Sequence, residues 1–383
     1  MKRMIQRAVC LSFVALASAG LSAQQLELVA KDPGGHGLLA KVGDKRVLVV
    51  SGTPEQMGAA HGQLLADLVP QVTPRTMALV AAGLAVQKGD WFYDRVDEIY
   101  RRTSPHTPER FIREIRAMAA AAKITERDAL CGNFFPELFH CSGVAVRGKA
   151  SADGRVVHAR VLDYMRDIHL QKCTAVQVFV PDGGIPWLSL GYAGFLGTVT
   201  ALNAKGLAIG EMGGRVEGRW DGMPMTFLMR EVAERAETVE QALEIRGKAP
   251  RTCEYYHGVS DARRAMAGVC ATPDTFEVLR PGQQDPRLPP VPEDTVLISG
   301  GGRAKALSER VSAQYGKITP EAMIEIIKRP VAMRSNLHNA IFMPETLDMW
   351  FADAGKKTPA CDEPYTKVNL NEILDFYRQS LRP

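Results

Sequence analysis

Hydrophobic and polar positions along this chain change rhythm in blocks. Between residues 26 and 51 apolar residues come in short runs such as Arg46-Val47-Leu48-Val49-Val50, which predict strands. Thr53-Pro54-Glu55 is a helix-start signal, and the helix it opens is expected to reach Leu68. Residues 74–130 are rich in Ala, Arg, Glu and Met at helical spacing and predict several helices, with breaks near Gly89 and Pro105 and a cap at Thr125-Glu126-Arg127-Asp128. The texture then turns to strands. Cys141–Arg147 and Arg155–Leu162 flank the turn Ser151-Ala152-Asp153-Gly154, and further short strands are predicted at 174–180, 185–191, 195–202 and 206–210. Residues 224–246 read as two helices joined near Thr238, followed by strands at about 253–260, 265–271 and 275–279. A loop rich in Pro, Asp and Gln covers 281–294. A helix from Thr319-Pro320-Glu321 spans 319–328, a hairpin pairs 338–343 with 347–353, and a last helix covers 370–380. Segregated blocks of helices and strands predict an α+β fold with antiparallel sheets covered by helices. No repeat and no shift in composition divides residues 24–383, which are expected to form one folded unit.

The N-terminus has a different pattern. Lys2, Arg3 and Arg7 precede an apolar, small-residue stretch from Ala8 to Leu21, and Leu21-Ser22-Ala23 fits a small-x-small cleavage site. This is the layout of a secretory signal peptide, expected to be cleaved after Ala23, and an exported protein follows, periplasmic or secreted. The apolar run is short for a membrane span, and no later stretch has the length and purity of one. The formal charge of +4 includes three positive residues in this leader, so the mature chain would carry +1. A balance so near neutral gives no electrostatic footprint for nucleic acid. The six cysteines beyond the leader (Cys131, Cys141, Cys173, Cys253, Cys270 and Cys361) are scattered, with no CxxC pair and no zinc or redox spacing. Neither a metal nor an organic cofactor is expected, and a homo-oligomer is left open.

The chemistry concentrates around Cys141. It opens a strand after the aromatic run Phe135-Pro136-Glu137-Leu138-Phe139-His140. The Asp153-Gly154 turn returns the chain antiparallel, which brings Arg160 and Asp163 to the end where Cys141 sits. A guanidinium near a thiol favours the thiolate, and a carboxylate there can hold an amine.

His140-Cys141-Ser142-Gly143, followed by Gly154, Arg160 and Leu162-Asp163, resembles the N-terminal nucleophile (Ntn) hydrolases. The branch it resembles is that of the acyl-coenzyme A:6-aminopenicillanic acid acyltransferase-like proteins, with more distant likeness to choloylglycine hydrolases and acid ceramidase-type amidases. Gly58-Ala59-Ala60-His61-Gly62 resembles that family's early helix motif. Leu202-Asn203-Ala204-Lys205-Gly206-Leu207 resembles its Asn-x-x-Gly-Leu turn, and Ser335-Asn336-Leu337-His338-Asn339 with Pro344-Glu345-Thr346-Leu347 its C-terminal hairpin. The resemblance implies a four-layer αββα sandwich and self-cleavage between His140 and Cys141. Residues 24–140 would become a light chain and 141–383 a heavy chain. The freed α-amine of Cys141, with an ordinary pKa of about 7.7–8.0, would then serve as the base for its own thiol. Substrates would be small molecules with a linear amide bond, and hydrolysis and acyl transfer both stay open.

Carried over by motif, Arg160 would assist the thiolate or the substrate carbonyl, Asp163 would hold the new α-amine, and Glu211 aligns with a carboxylate of the acid amidases. Where relatives place an oxyanion-hole asparagine after the Asn-x-x-Gly-Leu turn, this chain has Glu211-Met212-Gly213-Gly214. Backbone N–H groups of Gly213 or Gly214 are the substitutes considered. A later Thr-Asn pair is replaced by Ile298-Ser299, which makes Ser299 a weaker donor candidate. Tyr255, in Glu254-Tyr255-Tyr256-His257, is a candidate pocket residue, with a core role equally open. His61 and His338 read as structural. Gly300-Gly301-Gly302 lacks the Lys-Ser/Thr of a phosphate loop. Two rival readings remain: a non-catalytic binding protein on the same fold, and an unprocessed hydrolase pairing Cys141 with His338.

Overall fold

The computed structural model describes residues 25–76, 78–79, 92–134, 140–164, 166, 168–214 and 218–381. The leader, the break near Gly89 and residues 135–139 therefore lie outside the described residues. The first strands are β1 (Leu26–Lys31), β2 (Gly37–Val42) and β3 (Lys45–Gly52), followed by helices α1 (Pro54–Leu64), α2 (Phe92–Thr103), α3 (Glu109–Ala122) and α4 (Glu126–Phe134). Next come β4 (His140–Gly148), β5 (Gly154–Asp163), β6 (Thr174–Pro181), β7 (Trp187–Tyr192), β8 (Thr200–Asn203) and β9 (Leu207–Gly213). Helices α5 (Met225–Arg235) and α6 (Val239–Lys248) lead to β10 (Tyr255–Asp261), β11 (Met266–Ala271), β12 (Phe276–Leu279) and β13 (Thr295–Ile298). The chain finishes with α7 (Gly301–Ala313), α8 (Pro320–Ile326), β14 (Asn336–Met343), β15 (Asp348–Asp353), β16 (Thr366–Asn369) and α9 (Leu370–Ser380).

Two sheets form. One has ten strands in the order β1-β2-β3-β6-β7-β8-β9-β10-β11-β12, the other six in the order β13-β4-β5-β14-β15-β16. Strand alternation explains the layers. On β3, Leu48 and Val50 face a core built with α1, α3, α5 and α6, while Val47 and Val49 face a core shared with Ala340, Phe342, Met349 and Phe351 of the second sheet. On β4, Val144 and Val146 turn the other way, against Leu307 and Val311 of α7 and Met323 and Ile326 of α8. The result is the αββα stack. Among the described strands of the two sheets, pairing is antiparallel except between β3 and β6. Antiparallel sheets were expected throughout; a parallel pair requires a crossover, and here the helical block and the β4–β5 hairpin lie between the two strands.

The sequence motifs have local causes. Thr53 caps α1 in a capping box with Gln56. Thr238 and Thr319 accept hydrogen bonds from Gln241 and Ala322 N–H at the starts of α6 and α8. Gly62 lies where α1 crosses α3 so closely that a Cβ would overlap the Met118 carbonyl. His61 Nε2 accepts the Gly194 N–H at 2.9 Å. Asn203 clamps its turn from both sides. Its Oδ1 accepts Lys205 and Leu207 N–H, and its Nδ2 donates to the Ala233 and Ala236 carbonyls at the end of α5. The helix α7 and the strand β16 were not predicted. Gly300, in the run that lacks the Lys-Ser/Thr of a phosphate loop, is the N-cap of α7, and the next two glycines begin the helix.

Candidate active site

The β4–β5 register sets Cys141 opposite Leu162, and His140 opposite Asp163. His140 and Cys141 are the first two residues of β4. Cys141 faces between the sheets, buried among Leu162, Tyr192, Phe195 and Leu337. Arg160, on β5, projects the same way. Its stem passes over Gly210 of β9, where a Cβ would stand 2.6 Å from Arg160 Cγ. The guanidinium then reaches four acceptors. Nη2 donates to Cys141 Sγ at 3.2 Å and to Glu211 Oε2 at 3.3 Å, Nε to the Glu211 carbonyl at 3.3 Å, and Nη1 to His338 Nε2 at 3.0 Å. The Cys141 thiol itself faces Glu211 Oε2 at 4.0 Å. The smaller sheet thus supplies thiol and guanidinium, and the larger sheet the carboxylate.

His338 is not a base for Cys141. Arginine only donates, so Nε2 accepts from Arg160 and Nδ1 carries the proton toward Tyr192 Oη at 2.9 Å. Burial first, and then the Arg160 charge, hold its pKa well below the ordinary value. The reading that pairs Cys141 with His338 loses its geometric basis. The ring steers Arg160.

Burial governs the charges of this site. Proximity to Arg160 was expected to favour the thiolate, but burial dominates and pushes the Cys141 thiol up to about 12. Arg160 opposes that rise; Glu211 and Asp163 add to it. In the continuous chain the thiol is therefore protonated. Burial likewise lifts Glu211 to about 7, against the pull of Arg160, so this carboxyl changes charge near neutrality. Asp163 was expected to hold the α-amine of Cys141. In the continuous chain its carboxylate is bound by Arg303 Nη2 and by the Met333 N–H at 2.9 Å, and burial raises its pKa.

A cavity of about 700 Å³ opens on Cys141, a size ordinary for small-molecule sites. Met212, Val269, Val278, Leu279, Leu288 and Ile298 give it an apolar wall, and Glu277, Asp285, Arg287 and Arg303 supply charge. Of the proposed donors, Gly213, Gly214 and Ser299 line it. The Gly214 N–H, however, is taken by the Glu254 carbonyl at 2.9 Å. Ladder bonds alternate, so the Gly213 N–H points away from β10. Ser299 Oγ shares a hydrogen bond with Ser142 Oγ at 2.7 Å in which either hydroxyl can be the donor. Tyr255 does not belong to the site. Alternation along β10 turns it into the core beneath α5 and α6, while Tyr256 lines the cavity. The backbone of Gly300 and Gly301, at the start of α7, lines the same cavity. The sequence signal for these was the glycine run itself, weighed only as a phosphate loop. Among the described residues no group of side chains is arranged to hold a metal, no helix is long and apolar enough to cross a membrane, and Cys131, Cys141, Cys173, Cys270 and Cys361 are free thiols.

Thiol, guanidinium and carboxylate thus meet between the two sheets of the αββα stack. The model of the acyl-coenzyme A:6-aminopenicillanic acid acyl-transferase family matches residues 153–279. It is 24% identical to Protein dcd1B of Dictyostelium discoideum, over 90% of this chain and 75% of that protein. It is 23% identical to the N-acylethanolamine-hydrolyzing acid amidase of Rattus norvegicus, over 58% of each chain, so it spans little more than half of that relative. The solved Caenorhabditis elegans ortholog of that amidase aligns with a TM-score of 0.42 and 16% identity, covering 54% of this chain and 93% of the other.

Proposed function

We propose that this protein is an exported cysteine Ntn hydrolase or acyltransferase that cleaves itself between His140 and Cys141 and then acts on linear amides of N-acyl or small peptide-like compounds. The observation that carries the proposal is the contact of Cys141 Sγ with Arg160 and Glu211 at the floor of the cavity. Before cleavage there is no α-amine, and Glu211 is the base facing the thiol. Cys141 Sγ attacks the His140 carbonyl carbon, the thiol proton passes to Glu211, and Arg160 stabilises the sulfur. The C–N bond breaks as the Cys141 nitrogen takes up a proton. Water then attacks the thioester and releases the light chain's carboxylate.

The new amine makes the thiol a different acid. It supplies a base within the same residue and an ammonium beside the sulfur, both of which lower the cost of forming the thiolate. Each turnover then forms a thioester with the substrate acyl group and expels its amine. Water resolves the thioester in hydrolysis, and a second amine does so in transfer. The apolar wall suits an acyl group and the charged rim a polar head.

Intact-mass analysis of purified protein tests this. Two chains, one beginning at Cys141, are expected, and Cys141→Ala should give one chain without activity. A fully active preparation with an unbroken His140–Cys141 bond, or an active Cys141→Ala, refutes it.

A further inference from the structure

Glu211 stands where the larger sheet opens. The strand β8 pairs with β9 only as far as Gly210, with one further bond from the Glu211 N–H to the Val199 carbonyl at 3.1 Å. Alternation along β9 turns Gly210 and Met212 toward the smaller sheet and starts the Glu211 side chain toward α5 and α6. Its Oε2 still meets Arg160 at 3.3 Å and faces Cys141 Sγ at 4.0 Å. Its Oε1 is buried and has no hydrogen-bond partner. One oxygen of the carboxyl is committed on the side of Cys141, and the other is not.

On the helix side lies a cation with no carboxylate bonded to it. Arg246 of α6 is 1% exposed. Two other arginines are equally buried, and each bonds a carboxylate: Arg230 meets Glu114 and Glu234, and Arg160 meets Glu211. Arg246 makes no such bond among the described residues. Its Nη2 donates to His257 Nδ1 at 2.6 Å, and its Nε and Nη1 have no hydrogen-bond partner. His257 is the cross-strand partner of Glu211, so this bond anchors the guanidinium on the neighbour of the carboxyl. A buried guanidinium without a counter-charge is costly, and Glu211 supplies that charge. Burial first, and then Arg251, bring Arg246 down to about 9, and Glu211 pulls it back, so it stays a cation at neutral pH. The attraction is mutual. Burial raises the Glu211 carboxyl, and Arg160 and then Arg246 oppose the rise.

We infer that Arg246 is a positioning residue for the reaction at Cys141: from behind the larger sheet it gives Glu211 a second cation besides Arg160, which favours the ionised carboxyl that the thiol proton must reach. The inference rests on the proposed reaction, in which Glu211 takes that proton. The carboxyl is faced by Cys141 from β4, Arg160 from β5, His257 from β10 and Arg246 from α6, with His338 behind Arg160 and Arg251 beside Arg246. The Cys141 thiol is protonated, and burial followed by the adjacent arginine holds each histidine neutral. The arginines therefore carry the charge around Glu211. Removing that of Arg246 raises the pH at which Glu211 gives up its proton, and leaves less of it ready to accept one at neutral pH.

Two measurements on the full chain test this. In the first, self-cleavage of freshly translated chain is timed from about pH 5 to about pH 9. Arg246→Met keeps an unbranched stem and removes the charge. It should move the rising limb of the rate up by about one pH unit and slow self-cleavage about five-fold at neutral pH. Arg246→Lys, which keeps a cation, should bring the limb back toward that of the parent. A slower rate with an unmoved limb would mean that Arg246 only packs α6 on the sheet, and overturns the inference. Should Arg246→Met fail to fold, His257→Gln, which releases Arg246 Nη2, should move the limb the same way by less, and an unmoved limb there is equally fatal. In the second, urea unfolding of Cys141→Ala with and without Glu211→Gln is repeated in the Arg246→Met chain. The pH at which the pair stops diverging should rise by the same interval, and an unchanged pH refutes the role of Arg246. This second measurement needs no cleavage. A parent that never cuts itself therefore sinks the proposed reaction, whereas an unaltered Glu211 titration sinks only the part given to Arg246.

Discussion

Glu211→Gln isolates the electrostatic character of the site. Burial raises the Glu211 carboxyl from 4.5 to about 7, with Arg160 pulling it back. A folded-state value above the unfolded one means that the folded chain binds the proton more tightly. The stability this contributes is full below the unfolded value and is lost as pH rises through the folded one. At about 1.36 kcal/mol per pH unit, the interval corresponds to about 3 kcal/mol, a large part of a typical total stability of 5–15 kcal/mol. Glutamine has the shape of the protonated acid and no titration. The assay is urea unfolding of Cys141→Ala with and without Glu211→Gln, from about pH 4 to about pH 8, so that both backbones stay continuous. Other titrating groups are shared and cancel in the difference. Relative to its parent, the glutamine chain should gain about 3 kcal/mol across that range, with most of the change between the two pKa values. A flat difference would refute the assignment of burial as the dominant cause. A difference of opposite sign would show that the Arg160 pairing outweighs desolvation.

Two further substitutions probe how the site is positioned. Gly210→Ala places a Cβ 2.6 Å from Arg160 Cγ; the guanidinium must move, and kcat/KM should fall on the order of 100-fold, mostly in kcat, as steady-state kinetics on any accepted amide would register. Asn203→Ala removes both accepted and both donated bonds of a fully buried side chain. It should cost about 3 kcal/mol in urea unfolding while the Cys141 chemistry of the surviving folded fraction stays near that of the parent.

Much of this molecule is legible residue by residue. Thr53, Thr238 and Thr319 announce helix starts because a cap needs only its own next turn. The Asp153-Gly154 turn returns β5 alongside β4 in a register that aligns Cys141 with Leu162 and brings Arg160 near, which is again local. The αββα layering and the grouping of Cys141 with Arg160 followed from such signals joined to the family resemblance. Other features escaped. Alternation says that Tyr255 and Tyr256 face opposite ways, but only the packing of α5 and α6 decides which one meets the cavity. The Gly214 N–H looked available until β10 supplied the Glu254 carbonyl. The helix after Gly300 depends on the α7 face that β4 and β13 bury, against a poor local propensity. Cys141 was expected to be acidic beside Arg160, yet desolvation, a property of the closed sandwich, outweighs one neighbouring charge. Sequence by itself determined which groups stand near each other along a hairpin and where elements begin. The tertiary structure decided which face each strand shows, which N–H groups remain free and how much water reaches a charge, because these depend on chain that is distant in sequence and adjacent only after folding.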